Sequence, residues 1–427
     1  MTKRSVIGRR TLVAAAAPAL AFPAIVRAQA TGVALVVGNS KYQWEASLPN
    51  VKRDAPDVAK RFQALGLKTQ LVQDAGRDAM LRAIDGLAAT ARGTRFSAFY
   101  FAGHGAAWGK ETYLVPADAD LSAPGSVDKL VPIPTVTTAL DGAGSRLMVF
   151  DNCRNNPADG WRQKESENAA FIGDIMAARP ALPNTLMLFS TAPGRIALDG
   201  PAGQNSPFAG ALLRQIDTGS IDLKTLPEKM RRELLLATAG RQVLFDISTF
   251  SAPFPLTGTA AKGSAVVGGW AGDPSKIIEL PNSFAFSDQH GLRMPRGLVA
   301  HRPPAGSPLA GKAGAYSFEN TVRGGAKVPG AIVLLSVEEQ DAAEVILMTQ
   351  MPGRGGGWRF IRPAIKDNAI ELQGGFGRLA FKWTDDNSGT VTLSPLDNKG
   401  VSSGGGGPAG GGVARVQVAT SRFTRLD

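Results

Sequence analysis

Between Val33 and about Ile247 short apolar runs alternate with windows in which apolar positions recur every three or four residues. The runs "VALVVG" (33–38), "LKTQLVQ" (67–73), "RFSAFYFAG" (95–103), "SRLMVF" (145–150), "TLMLFS" (185–190) and "RQVLFD" (241–246) read as strands. The windows near 54–65, 77–92, 206–217 and 225–237 read as amphipathic helices. Uninterrupted apolar runs suit strands buried on both faces, so the pattern predicts an α/β domain with a mostly parallel sheet covered by helices. After Phe250 the pattern changes. Residues 251–275, rich in Pro, Gly, Ala and Ser, read as a linker. Residues 276–427 read as a β-rich module, an antiparallel sheet or barrel. Its strand candidates include "AIVLLSV", "EVILMTQM", "RLAFKWT" and "TVTLSPL", with "DDNSG" as a hairpin loop between Trp383 and Thr390. The run "SSGGGGPAGGG" (402–412) reads as a loop before a last strand, "VARVQVATSRF".

The first thirty residues do not belong to either pattern. Paired Arg9 and Arg10, a short alanine-rich stretch and the small-x-small end Ala28-Gln29-Ala30 read as an export signal of the twin-arginine type. The apolar part is too short and too alanine-rich for a membrane span. Cleavage after Ala30 and a periplasmic or secreted bacterial product are expected. The leader carries five basic and no acidic residues, so its removal takes the formal charge from +11 to +6. No block of like charge and no basic run interleaved with aromatics remains, which argues against a nucleic-acid partner.

Cys153 is the only cysteine of the 427 residues. It lies in "LMVFDNCRNNP", where an apolar strand breaks into a polar turn, and no internal disulfide is open to it. "AFYFAGHG" likewise runs off a strand onto His104, between Gly103 and Gly105. Reactive groups of open α/β sheets gather beyond the carboxyl ends of the strands. Two central parallel strands would therefore bring imidazole and thiol to one rim. His104 would then deprotonate the thiol and later protonate a leaving amine. The backbone N–H groups of Gly105 and Cys153 would form an oxyanion hole. Inert burial of Cys153, and a structural histidine at 104, are the plain alternatives. His290 and His301 lie in loop-like sequence and receive no role.

The pair resembles that of the caspase-like cysteine peptidases, the clan of caspases, metacaspases and their bacterial relatives. Their histidine follows one strand in a "GHG", and their nucleophile follows a later strand roughly 50 residues on. Here the separation is 49 residues. The resemblance covers about 33–250, with "ALVVGNSKY", "LPNVKRDAPDVAKRF", "FAGHG", "DNCRNNP", "FSTAPGRIALDG" and "NSPFAGALL". It implies a caspase-like sandwich over 31–250, a His104/Cys153 dyad, and peptide or protein substrates. "DNCRNN" stands where caspases have Q-A-C-x-G, which argues against cleavage after Asp. In metacaspase-like members acids in the primary pocket select Arg or Lys, and by position Asp54 and Asp151 resemble them. Asp54 has a second reading as a helix cap ahead of Pro56, and Asp151 as a partner of Arg154 or of turn amides. Asp118 and Asp120 do not match the acidic cluster of calcium-dependent members, so no metal and no cofactor are expected. The polar connection 154–184, with Arg162, Lys164 and Arg179, reads as a surface loop or as a self-cleavage site.

A cysteine endopeptidase is thus the expected function. A catalytically silent scaffold that binds an envelope protein through its C-terminal module stands as the alternative, and a redox-sensing thiol as a third reading.

Overall fold

A computed structural model describes residues 32–108, 111–122, 125–152, 182–192, 195, 197–217, 220–257, 273–292, 294–303, 306, 309–321, 327–337, 343–351, 355–361, 363–374, 377–394 and 419–427. The leader, Cys153, Arg154, Arg162, Lys164, Arg179, most of the expected linker and the Gly-rich run 402–412 lie outside the described residues.

In chain order the first part comprises β1 (Gly32–Gly38), α1 (Val51–Ala64), β2 (Leu67–Gln73), α2 (Arg77–Ala91), β3 (Phe96–Ala102), β4 (Gly105–Trp108), β5 (Glu111–Leu114), β6 (Val131–Pro132) and α3 (Ile133–Ala139). There follow β7 (Arg146–Asp151), β8 (Thr185–Phe189), α4 (Pro207–Asp217), β9 (Ser220–Asp222), α5 (Leu226–Ala237), β10 (Phe245–Ser248) and β11 (Pro255–Thr257). Six strands form one sheet in the order β10-β8-β7-β3-β1-β2, parallel except for β10. This is the mostly parallel sheet that the apolar runs predict.

Both faces of the sheet are covered, which explains the runs. Alternate residues of β1, β3 and β7 (Val36, Tyr100, Val149) pack under α1, α4 and α5. Their neighbours in sequence (Val37, Phe101, Phe150) pack under α2 and α3. Every residue of β3 and of β7 is buried, whereas the edge strand β2 exposes most of its residues. A strand with two covered faces has no place for a polar alternation.

The stretch between β3 and β7 has no long periodic pattern, yet it folds into a three-stranded antiparallel sheet, β4-β5-β6, and α3. Helix α1 begins at Val51, so Asp54 stands in its first turn and Pro56 inside it. The capping reading of Asp54 is therefore corrected: Asn50 occupies the cap position, and the Asp54 side chain turns to another part of the chain. Inside the stretch read as a linker, β11 pairs with β9.

The C-terminal part is β-rich, as expected. Nine antiparallel strands form a half-barrel in the order 355–361, 343–351, 327–337, 314–321, 419–425, 388–394, 377–383, 369–374, 365–366. One face holds an aromatic core of Tyr316, Phe318, Phe381, Trp383 and Phe423, with neighbouring rings 5.2 to 5.7 Å apart. "DDNSG" does connect two paired strands. One helix, α6 (Pro281–His290), was not expected; it starts on Pro281 and ends on Gly291 in the left-handed conformation (φ 64°). The opposite face of the half-barrel packs Ala331, Val333, Leu335, Ile346 and Met348 against Leu235 of α5 and Val243. Among the described residues no helix is long and apolar enough to cross a membrane.

Candidate active site

Strands β3 and β7 are immediate neighbours, parallel, with Ala102 paired to Asp151. His104 stands two residues beyond Ala102, and Cys153 two residues beyond Asp151 in sequence. Cys153 itself lies outside the described residues, and the chain is described up to Asn152, which is buried. The two motifs singled out from the sequence thus leave the same rim of the sheet from adjacent strands in register.

The His104 ring is oriented by the loop that follows β1. Its Nε2 lies 2.7 Å from the Ala46 carbonyl oxygen. A carbonyl only accepts, so Nε2 carries the proton and Nδ1 is left as the basic nitrogen. The Tyr42 ring packs against the imidazole, with centroids 4.6 Å apart, and its hydroxyl accepts the His104 backbone N–H at 2.7 Å. The loop is closed at its base by mutual bonds between Ser40 and Leu48, from Ser40 Oγ to the Leu48 carbonyl (3.0 Å) and from the Leu48 N–H to the Ser40 carbonyl (2.8 Å). Burial raises the Tyr42 phenol far above its ordinary range and keeps it neutral.

Glycine at 103 is required by this packing. A Cβ there would stand 2.5 Å from Tyr42 Oη and 2.8 Å from the Phe101 ring. Gly103→Ala is expected to displace Tyr42, loosen the His104 backbone and cost roughly 1–3 kcal/mol, read as a lower urea midpoint. Gly105 pairs with Leu114 of β5 at a position where the ladder bonds run between the flanking residues, since the Val115 N–H bonds the His104 carbonyl (3.0 Å). The Gly105 N–H therefore points away from β5 and is not used in that ladder.

The two acids read from the sequence are brought together. Ser206 caps α4: its Oγ accepts the Ala209 N–H (3.0 Å), and Pro207 follows as the first helical residue. The same hydroxyl donates to Asp151 Oδ2 (2.8 Å), while the Ser206 N–H donates to Asp54 Oδ1 (3.1 Å). Asn205 Nδ2 bonds Asp54 (3.0 Å) and Asp57 (3.3 Å), and the Tyr100 hydroxyl reaches Asp151 at 3.4 Å. The positive end of a helix thus faces two carboxylates. Asp54 is 1% and Asp151 8% exposed, which is deeper than an open pocket floor.

This burial has a titration consequence. Desolvation pushes Asp151 up to about 7, against the lowering bonds from Ser206 and Tyr100, with the Asp199 charge adding to the rise. Desolvation, then the charge of Asp151, raises Asp54 well above the carboxylate range. Near neutrality the pair holds a proton, because two desolvated carboxylates so close disfavour double ionisation.

Among the contributors not read from the sequence are Tyr42, the Ala46 carbonyl, Asn50, Tyr100, Asp199, Asn205 and Ser206. Asn50 clamps the segment after β8, donating to the Asp199 (2.6 Å) and Pro201 (2.9 Å) carbonyls and accepting the Gly203 N–H (2.9 Å). Asp199, half-buried, is raised by desolvation and lowered by the field of His104. It is a third carboxylate on the same rim. The "NSP" of 205–207 is a readable cap signal, but nothing in the sequence directs it at Asp54 and Asp151. Asp118 accepts the Arg77 N–H at the start of α2 (2.9 Å), and Asp120 is turned to Ser122. Both serve local backbone geometry.

The family model for Peptidase C14, caspase domain, matches residues 31–250. A search of curated proteins finds no match. Among solved structures the chain is similar to caspase-1 from Spodoptera frugiperda, at 16% identity and a TM-score of 0.39, over 52% of this chain and 90% of that one.

Proposed function

Because the chain belongs to the caspase-domain family of cysteine peptidases, we propose that it is an endopeptidase in which His104 activates Cys153 and cleavage falls after Arg or Lys. Protein substrates follow from the family.

In the proposed reaction Nδ1 of His104 takes the thiol proton, and the thiolate attacks the scissile carbonyl carbon. The oxyanion is met by the N–H groups of Gly105 and Cys153. Collapse breaks the C–N bond, with His104 returning its proton to the leaving amine. Water, deprotonated by His104, then hydrolyses the thioester. The observation that carries this reading is the registered pair Ala102–Asp151, with His104 beyond one end and its tautomer set by Ala46.

For specificity, Asp54 and Asp151 supply negative potential at the same rim, and Asp199 adds to it from a more exposed position. A guanidinium or ammonium arriving there displaces the proton that the pair holds and is gained as a charge-assisted partner. On the pattern of residues 1–30 we also place the protein outside the cytoplasm.

The test is a thiol-reactive peptidyl-arginine probe on the purified protein. Labelling is expected for the wild type and absent in Cys153→Ala and in His104→Ala. No labelling of folded wild-type protein would sink the peptidase reading and favour a silent scaffold. Labelling by a peptidyl-aspartate probe alone would keep the dyad and remove the Arg/Lys specificity.

A further inference from the structure

The segment after β8 builds the acid site, and it is held from three directions. Asn50, at the start of α1, grips Asp199, Pro201 and Gly203. Gln242, fully buried beyond α5, accepts the Leu198 N–H (3.0 Å) and donates to the Ser190 carbonyl (2.9 Å). The third grip comes from the half-barrel: Glu344 Oε2 lies 2.5 Å from Arg195 Nη2, and the Arg195 guanidinium stacks on the Phe360 ring at 4.7 Å. Only this third grip lies outside the region shared with the family, residues 31–250.

Glu344 is an unusual residue for its place. It is in the row Glu344, Ile346, Met348, on the face of the half-barrel that docks on α5, and its side chain is 3% exposed. An apolar residue would be the inexpensive choice in such a row, because a buried carboxylate costs several kcal/mol unless it is paired. The pairing register also shifts here, between Leu334 and Ser336, opposite Val345 and Glu344. Irregularities of this kind re-aim a side chain. Burial pushes the Glu344 carboxyl up to about 7, and the Arg195 charge opposes that rise. The arrangement gains no obvious stability over an apolar contact. What it gains is a fixed place for Arg195, and so for the segment from Leu198 to Ser206.

We propose that Glu344 is a positioning residue, through which the C-terminal half-barrel fixes Arg195 and holds the 197–206 segment in the conformation that presents Asp199 to a substrate's cationic side chain and keeps Asn205 and Ser206 on Asp54 and Asp151. The half-barrel then acts as a fixed part of the substrate site, and no ligand of its own is needed to explain its docking. The substrate half of the proposal rests on the function proposed above. The mechanical half does not.

The test uses the isosteric Glu344→Gln and the partner change Arg195→Met in the full chain. Amide hydrogen exchange in a Cys153→Ala background is expected to rise about tenfold or more over 197–206 in either variant, while strands 314–321 and 377–383 keep their protection. In the active protein, KM for a peptide with Arg before the cut should rise about tenfold with kcat changed by less than about twofold. The double variant should be no worse than the worse single one, because both remove one interaction. Unchanged exchange over 197–206, additive effects, or loosening spread evenly through the half-barrel would each overturn the positioning role. If the wild type cleaves no peptide, the proposed function fails while the exchange measurement still decides this inference.

Discussion

Cys153→Ala is expected to lower kcat/KM for peptide cleavage by at least about 1,000-fold, and His104→Ala by a similar factor at neutral pH. A factor of 1,000 is about 4 kcal/mol of transition-state stabilisation. The two losses should not add, since thiol and imidazole act as one unit. The informative difference lies in pH. An ordinary thiol ionises near 8.5, so without its base only a few per cent is thiolate at pH 7. Residual activity of His104→Ala should therefore climb close to tenfold per pH unit up to about 8.5, whereas Cys153→Ala should remain flat. Initial rates on one fluorogenic arginine peptide, with circular dichroism to confirm folding, would check both. Equal activity of wild type and Cys153→Ala would remove the thiol from the chemistry.

How far this site was legible follows from what each residue does. Strands buried on both faces declare themselves, because β3 and β7 have no solvent face to require polar alternation. Their ends were legible for the same reason: polarity returns where the sheet stops, at "GHG" and "DNC". Register was not legible, because it depends on packing across the sheet. The strand read at 241–246 begins only at Phe245, since Val243 and Leu244 are apolar in order to fill the cores beside the sheet without pairing in it. Helix α6 escaped because its buried residues include Ser283 and Ser287 while Phe284 and Phe286 are only partly covered, so it presents no apolar stripe. Strands β4 to β6 are too short to show a period.

The acids illustrate a further limit. From residues alone Asp54 had the reading of a cap before Pro56, and only family resemblance joined it to Asp151. Their meeting point is Ser206, over 50 residues from Asp151 and over 150 from Asp54 in sequence. Local rules identify Ser206 as a cap, but not as a bridge between two carboxylates. The half-barrel's grip on Arg195 is more distant still, and it depends on one charged residue in an otherwise apolar row.

Asp151→Asn is expected to trade activity for stability. In the folded protein Asp151 is raised to about 7, whereas an unfolded aspartate titrates near 4. Between those values the native state holds a proton that the unfolded state has released. Stability therefore falls as pH rises from about 4 to 7, and stays at its reduced level above 7. The asparagine oxygen can still accept the Ser206 and Tyr100 hydroxyls that now reach Oδ2, and the repulsion with Asp54 is gone. The variant should be more stable than wild type by roughly 4 kcal/mol at pH 8 and nearly equal at pH 4, read by urea midpoints. On the proposed specificity the same change removes a charge that the substrate's Arg or Lys needs, and leaves a cation to be desolvated against a neutral amide. Loss of one partner in a buried pair costs about 3–5 kcal/mol, so kcat/KM for arginine peptides should fall by about 150- to 5,000-fold. In the wild type the binding cation must expel the proton held by the pair, so KM should worsen as pH drops below about 7. Urea midpoints at pH 4 and pH 8 check the first expectation, and initial rates on an arginine peptide at pH 6 and pH 8 check the other two; retained arginine cleavage in Asp151→Asn would take this carboxylate out of substrate recognition.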